Sequence, residues 1–140
     1  MVLDQVTLQT LTLEWSPDSV AFAASDRYAS DTEVAYIYDV HTLDRLELLP
    51  RILATYPNVL PFTQGPHAAP HSYCHVMHWT DPKHVEARLH GHTDGARIGA
   101  AFRPGDCFDL RFRVSREGEV HEISRRVLPV SNKGCEAIGD

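Results

Sequence analysis

The strongest constraint on the fold is the alternation of apolar and polar residues near the end of the chain. In "CFDLRFRV" (107–114), apolar side chains fall on every second residue and charged side chains lie between them. This period of two is typical of a β-strand with one face in a core and the other in water. A similar segment, "VHEISRRVL" (120–128), follows after the polar stretch "SREGE". The two segments therefore predict an antiparallel hairpin.

The same pattern predicts the register of this hairpin. A loop at 116–119 places Asp109 opposite Arg126, so that opposite charges pair on the outer face. It places Phe112 opposite Ile123 on the inner face. Because a slip by one residue would exchange the two faces, we expect this register and a structural role for the hairpin.

Weaker strand patterns occur upstream, and one segment has a different period. The strands are predicted at 6–15, 20–25, 33–40 and 96–102. Between 42 and 56, leucines recur near helical spacing and Thr42 can cap a helix. Pro50 should kink this helix or open a second one, and a strand at "RLELL" is the alternative. We therefore expect a mainly β fold (α+β is possible), an antiparallel sheet or sandwich-like domain with one helical stretch near 42–56.

The length and the charge limit the classes of protein to consider. With 140 residues, the chain is expected to form one globular domain over 1–130, with a flexible tail at 131–140. Residues 1–57 carry three basic and nine acidic side chains, and 58–140 carry ten of each, for a net charge of −6. The absence of a basic stripe argues against a nucleic-acid partner, whereas the acidic first part leaves room for a basic protein partner.

The cysteines and the hydropathy bear on the compartment. The three cysteines include no C-x-x-C pair, so a disulfide framework is not expected and a reducing compartment fits better. No signal-peptide pattern opens the sequence, and no apolar run reaches the roughly 18–20 residues that a membrane helix needs. A cytoplasmic protein without a membrane partner is expected.

Seven of the nine histidines lie between His67 and His92. The segments 71–79 and 84–92 flank the turn sequence "TDPK" and predict a second hairpin. Its expected register gives one apolar face, centred on Val85 and Leu89, because a slip by one residue would destroy that face. The opposite face then collects ten residues, namely His71, Tyr73, His75, Met77, Trp79, His84, Glu86, Arg88, His90 and His92.

An ordinary solvated sheet face that is rich in histidine and a pH switch formed by clustered histidines are two interpretations that stay open. The first functional hypothesis is that this face binds a partner. Tyr, Trp, Met and Arg are enriched at protein interfaces. The sequence therefore predicts a non-catalytic binding or assembly protein that contacts a protein partner or a second copy of itself. The expected contact residues are Tyr73, His75, Met77, Trp79 and Arg88.

The alternative hypothesis is a metal site, for zinc or another divalent transition metal. His90 and His92 point the same way on one strand, and His71 is expected directly across from His92. Three imidazoles in this arrangement can ligate a metal, and Glu86 or His75 can complete or orient the ligand shell. Such a metal would serve hydrolytic or oxygen-handling chemistry. Arg88 on the same face disfavours a cation, and the Glu that follows H-x-H in the cupin metal pattern is missing after His92.

No other motif assigns catalysis. The sequence contains no G-x-S-x-G elbow, P-loop or G-x-G-x-x-G spacing. No catalytic residue is therefore assigned, and a non-enzymatic role is favoured.

Two stretches resemble the blades of a β-propeller. "LEWSPDSVAFAASDR" is similar to a strand–turn–strand opening of the WD40 or TolB kind, and "LHGHTDGARIGAAFRPGD" is similar to the start of another WD40 blade. The resemblance implies a propeller fold. However, a chain of this length supplies about three blades of ~40–45 residues, and propellers close with four or more.

Overall fold

The computed structural model describes residues 10–29, 32–57, 72–92 and 107–128. These residues form mostly strands and one helix. The elements are β1 (Thr10–Trp15), β2 (Ala21–Ala29), β3 (Thr32–Asp39), β4 (Arg45–Glu47), α1 (Leu48–Thr55), β5 (Ser72–Asp81), β6 (His84–His92), β7 (Cys107–Ser115) and β8 (Val120–Leu128).

The strands belong to one sheet with the order β1-β2-β3-β5-β6-β7-β8. Neighbours are antiparallel except at β3 and β5, which run parallel over the pairs Thr32–Ser72 and Glu33–Tyr73. β4 pairs with β3 farther along that strand. The prediction of a mainly β fold with an antiparallel sheet and one helical stretch is confirmed, and the described strands form a continuous sheet rather than propeller blades.

The alternation predicted for β7 is confirmed by its burial. Phe108, Leu110, Phe112 and Val114 are each no more than 1% exposed, and they belong to one apolar core with residues of β6 and α1. The Tyr56 ring lies 5.8 Å from that of Phe112, centroid to centroid. Because each fully buried Leu or Phe side chain contributes about 1.5–3 kcal/mol, this strand is a main source of core stability.

The segment 42–56 divides into two elements. Its first part is strand β4, in partial agreement with the alternative interpretation of "RLELL", and α1 follows directly. Pro50 lies in the first turn of α1 instead of opening a second helix. Its missing N–H costs little there, because the first N–H groups of a helix have no intrahelical partner. The buried face of α1 consists of Leu48, Leu49, Ile52 and Leu53.

The register of the last hairpin is confirmed at one end and wrong at the other. Asp109 pairs with Arg126 as predicted. Phe112 pairs with Glu122, because β8 carries one extra residue opposite the step from Arg111 to Phe112. That residue is Ile123, which is 52% exposed instead of packing opposite Phe112. A bulge of this kind shifts every later residue of the strand by one position.

The cysteines differ from the expectation at one position. Cys74 is a free thiol in the core, and burial raises its pKa to about 12, so it is protonated at neutral pH. Cys107 is disulfide-bonded, whereas the sequence predicted no disulfide framework. Within the described ranges, no helix has the length and apolar character needed to cross a membrane.

Three predicted features lie outside the described residues. They are the start of the first strand at 6–9, the strand at 96–102 and the tail at 131–140.

Candidate functional site

The histidine-rich hairpin is formed by β5 and β6. Its predicted register is confirmed at Tyr73–His90 and at His75–Arg88. Beyond Val76 the register shifts twice, so that Asp81 comes opposite His84 at the turn. Each shift adds a residue to β5 and reverses which side chains point to which face.

The first shift moves Trp79 to the core. Trp79 pairs with Val85 instead of His84 and is only 9% exposed. Its indole Nε1–H donates a hydrogen bond to the main-chain oxygen of Glu14, with an N–O distance of 2.9 Å. The prediction that Trp79 lies on the outward face with the histidines is therefore wrong. His78 takes the outward position instead, opposite Glu86.

A groove of about 670 Å³ opens where the edge of β5 meets β1 and β2. The Val76 N–H donates to the Ser25 hydroxyl oxygen at 2.9 Å and fixes this junction. One wall of the groove comes from β1–β3 and includes Thr12, Arg27 and Glu33; the other comes from β5 and β6 and includes His75, Met77, Arg88 and His90. Three of the predicted partner-binding residues, His75, Met77 and Arg88, therefore line a groove between strands.

Arg88 forms an ion pair with Asp109 on the neighbouring strand. Its Nε and Nη2 donate to the two carboxylate oxygens at 3.0 and 3.2 Å, and the side chains are only 12% and 4% exposed. Burial raises the pKa of Asp109, but the bonds and charges of Arg88 and Arg111 outweigh it and lower that pKa overall. Asp109 offsets part of the Arg88 charge, but Arg88 still lowers the pKa of His90 and so acts against positive charge in the groove, as the sequence suggested.

Glu33, His75 and His90 converge in this groove. One ligand atom from each lies within 4.8 Å of the other two. The Glu33 Oε1 atom is 3.0 Å from Nδ1 of His75, and the His75 and His90 rings meet edge to face with centroids 5.4 Å apart. Two ligands held about 2.1 Å from a metal at adjacent octahedral positions are about 3 Å apart, so the Glu33–His75 spacing fits a shared cation.

Burial of His90 keeps its imidazole neutral. Desolvation, followed by the charges of Arg88 and His75, lowers the pKa of His90 to about 4. At pH 7 the ring therefore offers a lone pair, which is the form that binds a metal.

His75 is held between two acceptors. Glu33 Oε1 faces its Nδ1 atom at 3.0 Å, and Met77 Sδ faces its Nε2 atom at 3.0 Å. A neutral imidazole carries one N–H and can donate to only one of them. In the tautomer whose Nε2–H donates to the Met77 thioether, the Nδ1 lone pair of His75 points toward Glu33. A cation placed between this nitrogen and the Glu33 carboxylate can then bind to both groups. Histidine ligands commonly donate their second N–H to a neighbouring acceptor in this way.

The ligand set predicted from the sequence is only partly recovered. His90 belongs to the group, and His75, expected only to complete or orient a shell, is a central member. Glu86 lies instead against Arg111 at 3.4 Å and His78 at 3.7 Å. His92 pairs with Cys107 across β6 and β7, and His71 lies outside the described residues.

Glu33 was missed from the sequence. It reaches the histidines because β3 and β5 run parallel at the Glu33–Tyr73 pair. The chain between them spans 40 residues or so, and no local pattern predicts such a pairing. The available signal was a carboxylate at the start of the β-rich segment 33–40.

Comparison with known proteins gives no relative from which a function can be transferred. No protein-family model, curated protein or solved structure matches this chain.

Proposed function

We propose that this protein binds a divalent first-row transition metal through Glu33, His75 and His90. The observation that carries the proposal is the convergence of one carboxylate and two imidazoles, from three strands, in an open groove. Two histidines and one carboxylate form a known ligand set for zinc and for non-haem iron.

Three protein ligands leave coordination positions for other molecules. The groove of about 670 Å³ beside the three residues has room for a small molecule or for metal-bound water. A metal held there would polarise a bound oxygen or lower the pKa of its water, as in hydrolytic and oxygen-handling sites. The function proposed is therefore metal-dependent binding or activation of a small molecule in this groove.

Partner binding through the 71–92 hairpin has less support. Of its expected contact residues, Trp79 is in the core and Arg88 is bonded to Asp109. Tyr73, His75 and Met77 are half-buried, and His75 and Met77 line the groove, which suits a small ligand better than a protein surface.

Isothermal titration of untagged, chelator-treated protein with Zn²⁺ and with Co²⁺ tests the proposal. We expect one site per chain. Replacing Glu33→Gln, His75→Ala or His90→Ala should each weaken binding at least about tenfold, because each removes one of three protein ligands. Glu33→Gln removes the charge but keeps an oxygen that can accept a hydrogen bond from His75. Weaker binding in this variant therefore reports the loss of a ligand charge and not the loss of the fold.

The matched control is His121→Ala, since His121 is an exposed histidine on β8. This variant should bind the metal as the parent does. Absence of any site in the parent protein, or parent-like affinity in both Glu33→Gln and His90→Ala with unchanged circular dichroism, would rule the proposal out.

A further inference from the structure

The face of β1–β3 that points away from the groove carries an ordered set of aromatic side chains. Cross-strand pairing aligns Trp15 with Phe22, Phe22 with Tyr38, and Tyr38 with Arg45. A second row runs beside it through Leu13, Ala24, Tyr36 and Glu47. We call the aromatic face the surface formed by Leu13, Trp15, Phe22, Tyr36, Tyr38 and Arg45.

The rings of the aromatic face contact one another in sequence. Centroid distances are 5.5 Å for Trp15–Phe22, 4.9 Å for Phe22–Tyr38 and 6.0 Å for Tyr36–Tyr38. The Phe22 and Tyr38 rings are stacked, with only 12° between their planes. Side chains ordered in this way form a platform before any ligand binds, which lowers the entropy cost of binding.

Two side chains of this platform lie largely in solvent. Trp15 is 57% and Leu13 is 53% exposed. They lie outside the core, to which β2 and β3 contribute Ala23, Ala35 and Ile37 from the opposite face. Beside them Phe22, Tyr36 and Tyr38 are half-buried, and an apolar patch of this kind is typical of a binding site.

A cation already sits on one of these rings. The guanidinium carbon of Arg45 lies 5.1 Å above the centroid of Tyr36. Trp15, at the opposite end of the row, has the ring type that attracts cations most strongly. The intramolecular Arg45 contact therefore illustrates the geometry that a basic side chain of a partner can adopt on the rest of the face.

The charge around the aromatic face is negative. By register, this face carries the acidic Asp26 and Glu47 and the basic Arg45. The connections next to it add Asp18, which also contacts Arg116 at 3.6 Å, and Asp44. Asp26 lies on the same face, opposite Leu11 and Val34, and its Oδ1 atom is buried with no hydrogen-bond partner among the described residues. Such a surface repels phosphates and attracts basic groups.

We propose that the aromatic face binds an extended, arginine- or lysine-containing segment of a partner protein. Alternate side chains of an extended segment point to one side, so successive basic residues can lie over the exposed rings while the acidic surroundings neutralise their charge. The site lies on the other face of β1–β3 from the metal ligands, so this inference does not depend on the metal.

Fluorescence anisotropy with a labelled peptide that alternates arginine and glycine tests the inference. Two matched peptides replace each arginine by citrulline, which removes the charge, or by glutamate, which reverses it. We expect saturable binding of the arginine peptide that weakens with added salt, and at least about fivefold weaker binding of both matched peptides.

The protein variants locate the contact. Trp15→Ala should weaken binding at least about fivefold by removing a cation–π and apolar contact. Ile123→Ala removes a comparably exposed apolar side chain from β8 and should leave affinity unchanged, as should His90→Ala at the metal site.

Three results would overturn the inference. They are equal binding of the arginine and citrulline peptides, parent-like affinity of Trp15→Ala, and a Trp15-dependent dimer seen by sedimentation without peptide binding. The last result would assign the aromatic face to a second copy of this chain.

Discussion

At the scale of single residues, Asp81 is a carboxylate that three neighbouring donors hold at the β5–β6 turn. It accepts hydrogen bonds from the Lys83 N–H at 2.7 Å, from His84 Nδ1 at 2.9 Å and from Arg113 Nη2 at 2.9 Å. The bond with His84, followed by that with Lys83, lowers the pKa of Asp81 to about 2. The ionised carboxylate therefore holds the β5–β6 turn against β7.

This pKa predicts a loss of stability in acid. Because the pKa is lower in the folded protein than in the unfolded chain, the contribution is fully present above the ordinary value of 3.8 and is lost as the pH falls toward about 2. Urea unfolding of the parent and of Asp81→Asn, at about pH 6 and about pH 2.5, measures it. The gap in midpoint between the two proteins should narrow at the lower pH.

A gap that is the same at both pH values would contradict this assignment. Other carboxylates are also protonated between these pH values, so the test rests on the difference between the two proteins and not on the parent alone.

The turn at "TDPK" was predicted from the sequence, because Asp and Pro fix turn geometry locally. The bond from Arg113 was not, since it depends on the neighbouring strand.

At the scale of elements, the bulges of β5 determine which face is functional. An added residue in the strand puts Trp79 in the core and leaves His75 and His90 facing the groove. The alternation of apolar and polar residues predicted strands β5 and β6 and their register next to Tyr73. The bulges could not be predicted, because they depend on how β5 packs against β1 and β2 and have no local signature in the sequence.

Trp79 therefore belongs to the core in our account. Trp79→Ala should lower the free energy of unfolding by about 3–5 kcal/mol, because it leaves a large cavity. Trp79→Phe should cost less, since it retains most of the apolar contact while losing the hydrogen bond to Glu14. Chemical denaturation of both variants, with the exposed Ile123→Ala as a control expected to change stability by no more than about 0.5 kcal/mol, measures the difference.

A cost below about 1 kcal/mol for Trp79→Ala would show that the side chain is not in the core. The register shift would then be wrong, and Trp79 would return to the outward face where the sequence alone had placed it.

At the scale of the whole molecule, the candidate metal site joins two parts of the sheet. Glu33 comes from β3, and the two histidines come from β5 and β6 beyond the parallel junction. The antiparallel neighbours and the mainly β class could be predicted, because each hairpin is encoded by local alternation and a turn. The pairing of β3 with β5 could not be predicted, because it joins segments that are far apart in the chain. Since Glu33 reaches the histidines through this pairing, its place in the site could not be predicted either.

The most direct test of the metal proposal is a crystal structure with anomalous diffraction recorded at the zinc edge, from protein loaded with Zn²⁺. We expect an anomalous peak between Glu33, His75 and His90, about 2.0–2.2 Å from one ligand atom of each. A peak on other histidines, such as His78 or His92, or no ordered peak in the groove at full zinc loading, would contradict the assignment.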